Sequence, residues 1–219
     1  MTQAIRSVYL QRGCEKEKQK MGKIFYIMGK SSSGKDTIFQ EIFRRQTWNL
    51  KKIILYTTRP ARADEKDGED YFFVNEETLK EMEIAGQVIE LRAYQTIHGV
   101  WKYFTADSGQ IDLKKESYLS IGTLESYWKI REYFGSEKVV PVYIEVEDGE
   151  RLCRALKREK NQTKPRYEEL CRRFLADSRD FSEENLEKAG IRKRFQNNRT
   201  LDQCADEILE YISKKLKEK

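Results

Sequence analysis

The chain carries one histidine, His98, and four cysteines, Cys14, Cys153, Cys171 and Cys204, with no C-x-x-C pair among them. Ligands this sparse exclude a zinc cluster, and cysteines this scattered exclude a disulfide framework; reduced thiols in a cytoplasm fit better. No apolar run approaches the roughly 20 residues of a membrane span. Residues 1–20, MTQAIRSVYLQRGCEKEKQK, lack the apolar centre and small-residue cleavage site of a secretory signal. They are expected to be a disordered extension, a tag remnant or a start placed too early, ahead of a single domain at 21–219. Internal repeats and low-complexity linkers are missing too.

What is abundant is charge. Charged residues make up 36% of the chain and hydrophobic ones 38%, enough for a real core beneath a heavily solvated surface. The net charge of +5 is unevenly spread: residues 151–219 hold 19 basic and 13 acidic side chains, the remainder 23 and 24. A surplus of this kind draws nucleic acid or a small polyphosphate equally well. No nucleic-acid motif supports the first.

The hydrophobic pattern alternates between strands and helices. KIFYIMG (23–29) reads as a buried parallel strand ending in glycine, and DTIFQEIFRRQ (36–46) as a helix with Ile38, Ile42 and Phe43 on one side. A strand is predicted over 51–58 and a helix over 75–86, closed by Gly86. The period shortens towards two over 87–105, which predicts antiparallel strands. Buried strands at 118–123 and 139–146 flank a helix at 124–134. Charged helices follow at about 149–160 and 166–181, then a strand at 191–198 and a closing helix at 201–216. Alternation of this kind predicts an α/β fold: a parallel sheet flanked by helices, with an inserted mixed or antiparallel lobe.

The first strand runs into GKSSSGKDT. Gly29 and Gly34 let the backbone turn tightly, so that N–H groups around Ser31, Ser32 and Ser33 can surround a phosphate. Lys35 would reach the outer phosphates, and the helix behind it aims its positive end at them. Strand, glycine loop and helix in this order predict a nucleotide site. Asp36 stands where the common G-x-x-x-x-G-K-[ST] pattern has a hydroxyl, and Thr37 follows it.

GKSSSGKDT together with TTRPARADEKDGEDYFFV (57–74) resembles the guanylate kinase family, with its G-x-S-x-x-G-K-x-T loop and T-T-R-x-P-R-x-G-E-x-x-G-x-D-Y-x-F-V block. Thr58, Arg59, Arg62, Glu65, Gly68, Asp70, Tyr71, Phe73 and Val74 keep the spacing. Proline comes one place early at Pro60, Asp64 replaces a glycine, and Leu55 stands where serine is common. The resemblance implies a P-loop nucleoside monophosphate kinase of the cytoplasm that takes ATP and GMP, with Mg²⁺. It divides the chain into a core (21–53, 108–148, 173–219), a GMP-binding lobe (54–107) and a helical lid (149–172).

On the acceptor side, Arg59, Arg62 and Tyr71 supply two guanidinium forks and a phenol, which a monophosphate dianion needs. The resemblance makes Glu90 the guanine reader, since a carboxylate accepts from the paired donors N1–H and 2-amino; an exposed strand residue is the alternative. With one inserted residue, GVWKYFT (99–105) matches a family strand in which Tyr103 touches the phosphate and Thr105 the base, although Phe104 replaces a glycine. Arg154, Arg158 and Arg173 match arginines of the family's lid. Asn197 matches an asparagine at the adenine end.

The family also has an acidic pair on its third core strand, where this chain has Ser120 and Gly122. Asp36 with Thr37 is then either an Mg²⁺ anchor or, for Asp36, a favourable charge at a helix N-terminus worth about 0.3–1 kcal/mol. A related kinase acting on another phosphorylated molecule, such as a ribose bisphosphate, and a non-catalytic binding module remain alternatives. The intact glycine loop speaks against the module.

Overall fold

A computed structural model describes residues 21–96, 99–198 and 200–218. The expected extension at 1–20, with Cys14, and His98 lie outside them. In chain order the elements are β1 (Ile24–Met28), α1 (Lys35–Arg45), β2 (Lys51–Lys52), β3 (Leu55–Thr57), β4 (Tyr71–Phe73), α2 (Glu76–Ile84), β5 (Val88–Thr96) and β6 (Gly99–Ala106). Then come β7 (Tyr118–Gly122), α3 (Leu124–Phe134), β8 (Val139–Glu145), α4 (Asp148–Lys160), α5 (Tyr167–Asp180), α6 (Glu183–Lys188), β9 (Arg194–Gln196) and α7 (Leu201–Lys217).

β1 is apolar throughout because both of its faces are covered. Phe25 and Ile27 point to a layer built from α1 and α7, with Ile38, Ile42, Ile208 and Ile212. Ile24, Tyr26 and Met28 point the other way, to Tyr127 and Ile130 of α3 and to Phe181 and Leu186. The sheet order is β2-β7-β1-β8-β9 with all pairs parallel, so the expected parallel core is present.

A second sheet, in the order β4-β3-β6-β5, is mixed: β3 pairs β4 in parallel and β6 antiparallel, and β5 pairs β6 antiparallel. Its apolar face, with Tyr56 and Phe104, packs on Leu79 and Met82 of α2. Asn75 caps that helix by accepting from the Thr78 N–H.

The single strand predicted over 51–58 is in fact two, one in each sheet. Between them the backbone of Ile54 pairs with no strand. Its N–H donates to the Gln110 side-chain oxygen at 3.0 Å, and its carbonyl accepts from the Gln110 amide at 3.1 Å. One amide thus satisfies both groups where the chain passes between sheets. A second difference is α6, capped by Ser182, which the sequence reading left without an element. The charged helix expected at 166–181 is present as α5, running unbroken over Tyr167–Asp180.

Candidate active site

The loop between β1 and α1 is built for close approach. Gly34 has φ +82° and Ser32 φ +64°, so the chain doubles back tightly before the helix. A side chain at Gly29 would come within 2.6 Å of the Ile144 carbonyl, and one at Gly34 within 2.6 Å of the Asn197 amide. No side chain caps the start of α1. Its first N–H groups, left without intrahelical partners, therefore face the loop. The buried hydroxyls of Ser32 and Ser33 have no hydrogen-bond partner among the described residues. Donors without acceptors, at a helix N-terminus, suit an anion with many oxygens.

Lys35 directs its Nζ to Asp36 Oδ2 at 3.2 Å, and the Asp36 side chain is largely exposed. Thr37 is exposed beside it. Asn197, expected at the adenine end, is buried under the loop, and its Nδ2 donates to the Ser33 carbonyl at 2.8 Å. In that position it holds the loop's shape.

Helices α4 and α5 grip the loop from the other side through the expected Arg173 and through Arg151, Asp148 and Asp177, for which the sequence pattern gives no sign. Arg151 is 1% exposed. It donates to the Ser31 carbonyl at 2.9 Å and to Asp148 Oδ1 at 2.8 and 3.0 Å, and its guanidinium lies 4.6 Å from the Phe174 ring centre. Asp177 Oδ2 accepts from the Ser31 N–H at 2.7 Å and lies 3.6 Å from Arg151. Arg173 reaches the Ser31 hydroxyl at 3.4 Å.

Of the three expected lid arginines, Arg158 and Arg173 line one cleft of about 430 Å³ with Ser31, Ser32 and, from the second sheet's side, Arg62. Arg166, Glu159 and Glu169 complete its charged wall. Arg154 is elsewhere: its Nε donates to Glu150 at 2.8 Å and its Nη2 to the Asn197 carbonyl at 2.9 Å, behind the loop.

The polar face of the second sheet gathers the expected acceptor residues. Strand alternation puts Glu90 and Arg92 of β5 opposite Thr105 and Tyr103 of β6, while Phe104 between them turns to the apolar side. Phe104 in place of glycine therefore leaves this face undisturbed. Arg59 is buried, donating from Nε to the Tyr103 hydroxyl at 3.1 Å and from Nη2 to Glu65 at 2.7 Å, with Tyr71 and Phe73 packed at 5.5 and 5.7 Å. The hydrogen bond from Arg59 holds the Glu65 carboxyl below its ordinary range, and Glu65 also accepts from the Arg62 N–H at 2.8 Å. Burial pushes the Tyr71 phenol up. Asp70, through a 2.9 Å bond from the Lys66 N–H, closes the turn that delivers Tyr71.

Glu90 is buried and not a lone carboxylate. It accepts from Thr105 Oγ1 at 2.8 Å and from Arg92 Nε at 2.9 Å. Arg92 was missed, although its two-residue spacing from Glu90 on a strand was a visible signal. The room that a side chain at Gly122 would need is taken by the hydroxyls of Tyr26 and Ser126.

A phosphate loop, an arginine-lined cleft and a second polar sheet face compose a site for moving a phosphoryl group between two small anions. Comparison with known proteins points the same way. The guanylate kinase family profile matches residues 21–184. The guanylate kinase of Malacoplasma penetrans (strain HF-2) is 30% identical over 159 residues, covering 72% of this chain and 79% of that protein. That of Nitrosomonas europaea is 41% identical over 70 residues, 32% of this chain and 34% of the relative. The crystal structure of guanylate kinase from Anaplasma phagocytophilum superposes with a TM-score of 0.64 at 20% identity, covering 91% of this chain and 89% of that one, and so shares the fold. With the loop and the acceptor block both inside the matched span, the chain belongs to the guanylate kinase family.

Proposed function

We propose that the chain transfers the terminal phosphoryl group of ATP to GMP, giving ADP and GDP. The observation that carries this reading is the shared cleft, which Ser31 and Ser32 of the phosphate loop line together with Arg62, Arg158 and Arg173. A donor on the loop and an acceptor on the second sheet would meet there in line.

ATP would lie with its phosphates on the N–H groups of residues 29–37, its outer oxygens met by Lys35. GMP would lie on the second sheet, its phosphate at Arg59, Arg62, Tyr71 and Tyr103 and its base at Glu90 and Thr105. The acceptor phosphate is already ionised near neutral pH, so no general base is needed. Catalysis would rest on alignment and on spreading the charge of a loose transition state over Lys35, Arg158 and Arg173. Arg154, tied to Asn197, would act by holding the loop. Closure of α4 and α5 over the cleft would keep water from taking the phosphoryl group.

The site suits Mg²⁺ in its donor set. Asp36 and Thr37 offer exposed oxygens in the first turn of α1, the hard ligands that Mg²⁺ prefers. Among the described residues no group of three or more His, Cys, Asp or Glu could hold a metal alone. An Mg²⁺ ion would be held mainly by substrate phosphates and water, with Asp36 and Thr37 beside it, and would neutralise charge on those phosphates. A cytoplasmic location is supported by the free thiols of Cys153, Cys171 and Cys204. No described helix is long and apolar enough to cross a membrane.

The test is a coupled assay of ADP release with GMP, dGMP, AMP and sugar phosphates as acceptors. Turnover with GMP well above AMP and the sugar phosphates is expected. Turnover confined to a sugar phosphate, or none at all, would overturn the reading.

A further inference from the structure

Glu90 has almost no hydrogen-bonding capacity left for a ligand. Its Oε1 accepts from the Thr105 hydroxyl at 2.8 Å and from Arg92 Nη2 at 3.2 Å, and its Oε2 accepts from Arg92 Nε at 2.9 Å. A carboxylate oxygen has two lone pairs, so one acceptor position remains, on Oε2. Arg92 is in the opposite condition: it has five N–H donors and spends two of them on Glu90. Both side chains are largely shielded from water, at 3% and 12% exposure, so the pair is a fixed unit of one acceptor beside several donors.

Where Gly122 stands, the facing wall adds no carboxylate. Gly122 has no side chain, and the Tyr26 hydroxyl in its place is buried and donates to Ser126 Oγ at 2.7 Å. Glu125 and Lys129 of α3 lie in the recess next to Glu90, which makes Glu125 the rival to be tested.

A guanine base presents N1–H and a 2-amino group side by side, and a single lone pair takes only one of them. We propose that Glu90 and Arg92 together read the 6-oxo edge of the acceptor base and leave the 2-position unread. Glu90 Oε2 accepts from N1–H, and a free N–H of Arg92 donates to the 6-oxo group. The acceptor class is then the 6-oxopurine nucleoside monophosphates, hypoxanthine as well as guanine. Adenine fails twice, since its N1 is an acceptor facing a carboxylate and its 6-amino group a donor facing a guanidinium. Arg92 is thus a specificity-determining residue, which also positions Glu90. The inference rests on the kinase reading above and adds the base it selects.

The test is steady-state kinetics of the full chain with GMP, IMP and AMP. IMP is expected within about tenfold of GMP in kcat/KM, and AMP at least about 100-fold below both. Arg92→Met returns two lone pairs to Glu90 and Thr105→Val returns one, so both let the 2-amino group be read. The GMP-to-IMP ratio should rise, by about tenfold for Arg92→Met, with the change in KM and not in kcat. A residue that served only to stabilise the sheet would lower both substrates together. Glu125→Gln should leave the ratio unchanged. If circular dichroism shows Arg92→Met unfolded, Thr105→Val decides. Exclusion of IMP by the unmodified chain, a ratio unmoved in the folded variants, or one that moves in Glu125→Gln overturns the proposal. Turnover of GMP alone overturns only this assignment, whereas turnover of none of the three overturns the kinase reading with it.

Discussion

Arg151 Nη1 donates to the Ser31 carbonyl at 2.9 Å, so the first turn of α4 holds the middle of the phosphate loop. Arg151 is among the largest fully buried side chains, and such a charge is tolerated only where partners surround it. Here Asp148, Asp177 and the Phe174 ring do so.

Arg151→Ala would leave the Ser31 carbonyl without its side-chain donor and Asp177 without its ion-pair partner. The expected cost is about 2–3 kcal/mol, less than for a wholly buried pair because Asp148 is half exposed. For a chain of this size that is about 4–12 °C in Tm, readable by calorimetry. The KM for ATP should rise as the loop loosens. Arg151→Lys should recover part of the stability, since an ammonium keeps the charge and loses the fork. An unchanged Tm in the alanine variant would mean that the grip on Ser31 is ornamental.

Lys35→Ala should abolish phosphoryl transfer and spare the fold. Among the described residues the lysine bonds only to its exposed neighbour Asp36 across 3.2 Å, and an exposed pair of this kind is worth little. Circular dichroism and turnover must be read on the same preparation. Unfolding of the variant would make Lys35 a structural residue instead.

The Glu65 prediction concerns pH. Arg59, by its hydrogen bond, holds the Glu65 carboxyl below its ordinary 4.5. A depressed folded value means that the pair's stabilisation is fully present above about 4.5 and is lost as pH falls through the folded value. Glu65→Gln should therefore melt lower than the unmodified chain at pH 7, with the gap closing in more acidic buffer. The variant should also raise the KM for GMP, because Arg59 would lose the partner that aims it. A gap in Tm that stays constant from pH 7 to pH 3 would contradict the pairing.

Much of this was legible in the chain. The five buried residues of β1, the glycine loop and the amphipathic α1 follow from local pattern. What was not legible depends on partners far apart in sequence. The break between β2 and β3 is decided by Gln110, an ordinary-looking polar residue 56 positions on. Arg151 and Asp177 stand within charged helices, and only the fold turns them inward onto Ser31. Asn197 illustrates the same limit: its bond to the Ser33 carbonyl could not be read from spacing.

Asp36 poses the remaining choice. Its carboxylate is 83% exposed and meets Lys35 at 3.2 Å, beside a loop whose N–H groups suit phosphate. A fixed negative charge there would repel a bare triphosphate at short range, unless a cation lies between them. Asp36 is therefore expected to help anchor Mg²⁺, directly or through water, with Thr37 adding its hydroxyl. Asp36→Asn should raise the Mg²⁺ concentration for half-maximal activity, with partial rescue by excess Mg²⁺ or by Mn²⁺. Direct titration of Mg²⁺–ATP binding by calorimetry should weaken in parallel, which separates the ion from the chemical step. The competing role is that of a favourable charge in the first turn of α1, worth about 0.3–1 kcal/mol. That role alone would lower Tm slightly and leave the Mg²⁺ dependence where it was, and such a result would remove Asp36 from the metal's shell.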